Sequence, residues 1–147
     1  VNVLQSMILT KGKQMVLTTS YYVFKMYKVH QDATYLPIDL NCEKKNVRDN
    51  RIVPMVSATA SKDKKGVIHI SLSNIDADNA QEITINLGDI KEKKAVGEIL
   101  TSTNLTDYNS FENPNTVKTK PFKEVKINKG TMKIKLPAKS IVTLELQ

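Results

Sequence analysis

The side chains with chemistry to offer gather in one loop. From Thr101 to Thr116 the chain runs for about 16 residues without an alternating apolar pattern, and within it stand Tyr108, Asn109, Phe111 and Glu112. A connection longer than the usual handful of residues is functional or interlocked with another domain. Tyr108 offers a ring on which a sugar face could stack, and Phe111 an apolar anchor against a neighbouring domain. Asn109 and Glu112 offer hydrogen-bonding groups. An acid–base pair for hydrolysis needs two carboxylates facing one bond. Glu98, Glu112, Glu124 and Glu145 are available, but carboxylates on exposed strands and loops ordinarily solvate a surface. No catalytic residue is assigned. Glu112 is expected to pin the loop by a hydrogen bond through Asn109 or Asn113.

Metal and cofactor chemistry find less support. Asn74-Ile75-Asp76-Ala77-Asp78-Asn79 alternates oxygen ligands as a calcium loop does. The glycine at the sixth position and the distant bidentate glutamate of such loops are missing, so a turn between strands accounts for it. His30 and His69 stand apart with no zinc spacing around them, and the lone Cys42 has no thiol to pair with. There is no glycine-rich phosphate loop and no nucleophile elbow. The expectation is no metal and no cofactor. Asn104-Leu105-Thr106 is a formal glycosylation acceptor.

The net charge of +7 raises nucleic acid as a partner. The lysines are spread along the chain, however, and the only arginines are Arg48 and Arg51. Base-reading and stacking sites favour arginine and aromatic residues. A solvated lysine surface is expected, with no nucleic-acid partner. No apolar run approaches the roughly 20 residues of a membrane helix, so no membrane partner is expected either. The chain enters at Val1 directly into apolar sequence, which reads as a piece of a longer protein.

Three kinds of element must hold the loop. Met7–Thr10 and Gln14–Thr18 look like two short strands about Gly12. A helix follows from Tyr21, capped by Thr19 or Ser20, with Val23, Phe24, Met26 and Tyr27 on its apolar side. Four of the eight aromatic residues lie in Tyr21–Tyr27. Such a face must pack on the domain that follows, on a second copy of the chain, or stay partly bare. Residues 31–50 read as a polar connector around Pro37. From Ile52 onward apolar and polar residues alternate: Ile68, Ile70 and Leu72; Ile83, Ile85 and Leu87; Val125 and Ile127; Met132, Ile134 and Leu136; Val142, Leu144 and Leu146. With Val53–Ala60 and Ala95–Thr101 this makes seven strands in about 95 residues, the density of a two-sheet antiparallel sandwich. Asn128-Lys129-Gly130 and Lys64-Lys65-Gly66 supply tight turns.

Four segments, in order, carry a resemblance: Val1–Thr10 (VNVLQSMILT), Thr18–Asp32 (TTSYYVFKMYKVHQD), Gly97–Val117 (GEILTSTNLTDYNSFENPNTV) and Leu136–Leu146 (LPAKSIVTLEL). In Gly97–Val117 a GEILT strand precedes a hydrophilic loop and an N-x-F-[DE]-N-P-x-x-V stretch at Asn109–Val117. The chain resembles the C-terminal domain of family 51 glycoside hydrolases, the α-L-arabinofuranosidases. The resemblance implies an all-β, jelly-roll-like β-sandwich over residues 31–147. It makes residues 1–30, a short hairpin and one α-helix, the tail of a (β/α)8 barrel. It also implies a retaining enzyme whose two catalytic glutamates precede Val1, so that this piece alone is inactive. Its partners would be its own catalytic barrel, an arabinose-containing polysaccharide reached through the parent enzyme, and further copies in a homo-oligomer. Tyr108, Asn109, Phe111 and Glu112 would make an interdomain or sugar contact. An independent carbohydrate-binding sandwich is the alternative, weakened by the absence of tryptophan.

Overall fold

Two short strands and one helix lead into a β-sandwich. The computed structural model describes residues 6–147, so the opening of the first resembling segment, 1–5, lies outside the described residues. Strand β1 (Ile8–Lys11) pairs antiparallel with β2 (Gln14–Leu17). Gly12 between them has φ +58°, a conformation that glycine adopts without strain. Helix α1 (Thr19–Tyr27) follows, extended by a 3₁₀ turn at Lys28–His30.

The remaining strands are β3 (Thr34–Leu36), β4 (Lys44–Arg48), β5 (Arg51–Pro54), β6 (Val56–Lys62) and β7 (Ile68–Asn74). After them come β8 (Gln81–Asn86), β9 (Ala95–Leu100), β10 (Lys120–Phe122), β11 (Val125–Asn128), β12 (Thr131–Leu136) and β13 (Ser140–Leu146). One sheet has six strands in the order β10-β9-β13-β7-β6-β3, and the facing sheet has three, β11-β12-β8. All these pairings are antiparallel. Strands β4 and β5 form a separate hairpin. An antiparallel β-sandwich preceded by a hairpin and one helix is the architecture expected from the alternating pattern.

The main core lies between the sheets. Leu72, Val142 and Leu144 from the larger sheet meet Met132, Ile134 and Leu136 from the smaller, each almost wholly buried. Burying such side chains stabilises the fold by about 1.5–3 kcal/mol each. The turn Lys129-Gly130 between β11 and β12 takes positive φ at both positions, which matches the right-handed twist of a two-residue hairpin.

Three readings need correction. The residue at the helix N-cap is Thr18, not Thr19 or Ser20, and its hydroxyl makes no capping bond. It donates instead to the carbonyl oxygens of Ser6 and Met7, tying the helix start to the incoming chain. Phe24 does not share the packed side: it is 66% exposed, while Tyr22 and Met26 are the buried residues of α1. The stretch 31–50 is not merely a connector. It contributes β3 to the edge of the large sheet and β4 to a hairpin, whose turn places Asp49 and Asn50 at positive φ. Its polarity misled because strand edges and projecting hairpins are solvated on both faces.

The polar side of β7 is covered by protein. His69, Ser71 and Thr143 are buried on the outer face of the large sheet. Central strands β7 and β13 have the main core on one side and the α1 region on the other, so alternation here reports two buried faces of different polarity.

Candidate functional site

The distinctive loop closes on itself before it meets anything else. Asn109 is buried, and its side-chain amide donates to the carbonyls of Leu17 and Val117, at 2.8 Å each. The backbone N–H of Val117 donates back to Asn109 Oδ1 at 2.7 Å. Both hydrogens and the oxygen of the amide are thus engaged, and a spacing of eight residues is drawn into a ring. The bond to Leu17 fastens that ring to the end of β2. Between Asn109 and Val117 the chain is held by local bonds, Asn113 N–H to Ser110 Oγ and Thr116 Oγ1 to the Asn113 carbonyl.

The first half of the loop has its own brace. The Asp107 carboxylate accepts from the Ser102 hydroxyl and from the backbone and side-chain N–H groups of Asn104. These donors hold its carboxyl below the usual carboxylate range. The brace leaves Leu105 and Tyr108 outward, 74% and 71% exposed.

Behind the loop lies a second apolar core. Tyr22 and Met26 of α1 pack with Leu100 at the end of β9 and Val117 of the loop, flanked by Leu17, Val23 and Ile141. The hydrogen-bonded ring and this core form one seam. Asn109 supplies its polar half and Val117 its apolar half. Sequence reasoning missed Val117, Leu100 and Ile141 as seam residues. The signal for them lay in residues of the quoted motifs that belong to no apolar stripe of the main core.

The four candidate residues therefore part company. Asn109 is the pin. Glu112, expected to pin the loop, is exposed, and the Ser110 hydroxyl bonded to it holds its carboxyl below the ordinary value. Phe111 is half-buried, with Lys11 Nζ 6.0 Å from its ring centroid, the outer limit of a cation–π contact that again links loop to hairpin. Tyr108 stands free at the surface.

The calcium-like segment is occupied by protein donors. The Asp76 carboxylate pairs with Lys45 Nζ and accepts the backbone N–H groups of Asp78 and Asn79 at 3.0 and 3.1 Å. Lys45, hydrogen-bonded to it, holds the Asp76 carboxyl far below its usual range. The pair ties the β4–β5 hairpin to the sandwich.

With this geometry in hand, the chain can be set beside known proteins. The sequence profile of the α-L-arabinofuranosidase C-terminal domain matches residues 1–140. The chain belongs to that family. This arabinofuranosidase C-terminal domain is 84% identical over 147 residues to the intracellular exo-α-L-arabinofuranosidase of Bacteroides ovatus, spanning all of the chain and 29% of that protein. Among solved structures it is similar to the family 51 arabinofuranosidase of Xanthomonas axonopodis pv. citri. There the identity is 41% and the TM-score 0.92, over 99% of this chain and 29% of that one. The family 51 α-L-arabinofuranosidase of Bifidobacterium longum shares the fold, with TM-score 0.86 at 21% identity, over 97% of this chain and 28% of that one. The arabinofuranosidase C-terminal domain thus spans under a third of the length of these relatives.

Proposed function

We propose that this chain is the architectural, non-catalytic part of an α-L-arabinofuranosidase. The intact enzyme would hydrolyse terminal non-reducing α-L-arabinofuranosyl residues of arabinan or arabinoxylan, with retention, using two glutamates from a catalytic barrel. Residues 1–30 are the tail of that barrel and 31–147 the sandwich. The seam around Asn109 and Val117 supports this reading, because it spends the most distinctive loop on holding α1 against the sheet rather than on lining a cleft. The exposed side of the same unit, Met7, Ile8 and Phe24, leaves apolar surface for the barrel or a second copy.

The test is release of chromophore from an aryl α-L-arabinofuranoside by this chain and by a full-length parent. Activity in the parent alone is the expected result. Turnover by this chain would assign catalysis to its own carboxylates; inactivity of both would remove the substrate assignment.

The freely standing Tyr108 favours a second reading, a weak sugar contact on the sandwich itself. Affinity of the chain for arabinan that disappears in Tyr108→Ala would establish it, and no retention on an arabinan gel would dispose of it.

A further inference from the structure

His30 ends the 3₁₀ turn after α1 and is the side chain through which that unit enters the polar face of the large sheet. Its Nδ1 lies 2.7 Å from Ser61 Oγ on β6, and its Nε2 lies 2.8 Å from Ser71 Oγ on β7. Ser71 Oγ in turn lies 3.1 Å from Thr143 Oγ1 on β13. Ser61, Ser71 and Thr143 are all buried. One imidazole therefore bridges two adjacent strands, and through Ser71 it reaches a third.

We propose that His30 is a pH-sensitive latch that fastens the α1 unit to the outer face of the sandwich when neutral and loosens it when protonated. A neutral ring donates from one nitrogen and accepts at the other, so one serine accepts and the other donates. A protonated ring donates from both, so the serine that had been donating must turn its hydrogen elsewhere. Ser71 can turn it only toward Thr143 Oγ1, displacing any hydrogen Thr143 was giving, and Ser61 is left with no side-chain partner but the ring among the described residues.

The charge would also arrive without a counter-ion. The titratable groups around that face are Tyr27 on α1, Tyr35 beside Ser61, His69, Glu145 opposite His69, Glu98 opposite Thr143, and Asp63. Asp63 accepts the N–H groups of Lys65 and Val67 and lies 3.5 Å from His69, not from His30. Among the described residues no carboxylate forms an ion pair with His30. Burial, and then the neighbouring charge of His69, hold its pKa below the ordinary value.

The sign follows from linkage. A histidine with a lowered folded-state pKa favours the fold while neutral, and its contribution falls away as pH drops below about 6.5. Nothing in this depends on the activity of the parent enzyme.

Three measurements on the chain itself test it. Ring NMR of the two histidines, assigned with His69→Gln, should show His30 titrating below the ordinary 6.5. Hydrogen exchange corrected for pH should lose protection in residues 19–31 through that titration, while β7 and β13 keep theirs. The fall in Tm from pH 7 to pH 5 should exceed that of His30→Gln by at least about 2 °C. A His30 titration at or above the ordinary value, or protection lost uniformly across the sandwich, would overturn the latch. So would an acid-induced fall in Tm that persists unchanged in His30→Gln; should that variant fail to fold, the first two measurements decide.

Discussion

Gly97 and Leu144 face each other across β9 and β13, and no β-carbon fits between them. The two residues are register partners, and a β-carbon built on Gly97 would lie 2.6 Å from Leu144 Cδ2 and 3.3 Å from Phe122 Cβ. Leu144 is fully buried and Phe122 nearly so, so neither can step aside into solvent. The glycine that opens the GEILT stretch is there for space, since its φ is not among the positive ones.

Gly97→Ala should therefore destabilise the domain by about 1–3 kcal/mol through overpacking. Urea unfolding would show it as a lower midpoint at unchanged slope. Pairing it with Leu144→Val, which trims the clashing branch, should recover part of the loss; an additive double variant would count against the clash.

Asn109→Ala should cost about 2–4 kcal/mol, because it leaves the buried carbonyl and N–H of Val117 and the Leu17 carbonyl without partners. Limited proteolysis should then cut between residues 101 and 116 faster than in the wild-type chain. Glu112→Gln should change stability by less than about 0.5 kcal/mol, as befits an exposed position. Equal losses in the two variants would mean that Glu112 shares the pinning role.

Acid should detach the β4–β5 hairpin. The folded-state pKa of Asp76 is depressed chiefly by its hydrogen bond from Lys45. A depressed carboxylate contributes stability above its unfolded value, near 3.9, and loses it as pH falls below that toward the folded value. Asp76→Asn should flatten the stability curve below pH 4 and lower it at neutral pH. Exchange of the Lys45 and Val53 amides, followed against pH, reports the hairpin directly.

Phe24→Ser should leave the melting temperature within about 2 °C of wild type, since the ring is largely exposed. If the bare face drives association of the isolated chain, the variant should sediment as a smaller species than wild type at equal concentration. Identical sedimentation of the two would place any oligomer contact elsewhere.

The main core was legible because period-two alternation marks which side of a strand faces its partner sheet. Ile68, Ile70 and Leu72, or Met132, Ile134 and Leu136, could be read directly. The outer seam was not, because alternation cannot say whether the polar side of a strand meets water or another layer: Ser71 and Thr143 are buried against α1 and its turn, not exposed. Helix periodicity failed at Phe24 for a related reason. A short helix lying on a sheet buries a narrow stripe, and an aromatic residue beside that stripe remains outside. In the loop, the motif groups residues that the structure separates, with Asn109 buried and bonded and Tyr108 exposed. The bonds of Asn109 run to backbone atoms of Leu17 and Val117, and backbone partners leave no trace in residue identity.

The strand order has a consequence for how the molecule is made. Strand β13 lies between β9 and β7 in the middle of the large sheet, although it follows every other described strand in sequence. During translation β6 and β7 can pair early as a hairpin, and β9 must wait with an open edge until β13 emerges from the ribosome to join them. Pairing of such separated segments is slow, and the unclosed edge is a site for aggregation while it lasts. Nascent chains that stop before Ser140 should therefore engage chaperones strongly, and chains long enough to expose Ser140–Leu146 should complete the sheet in one cooperative step.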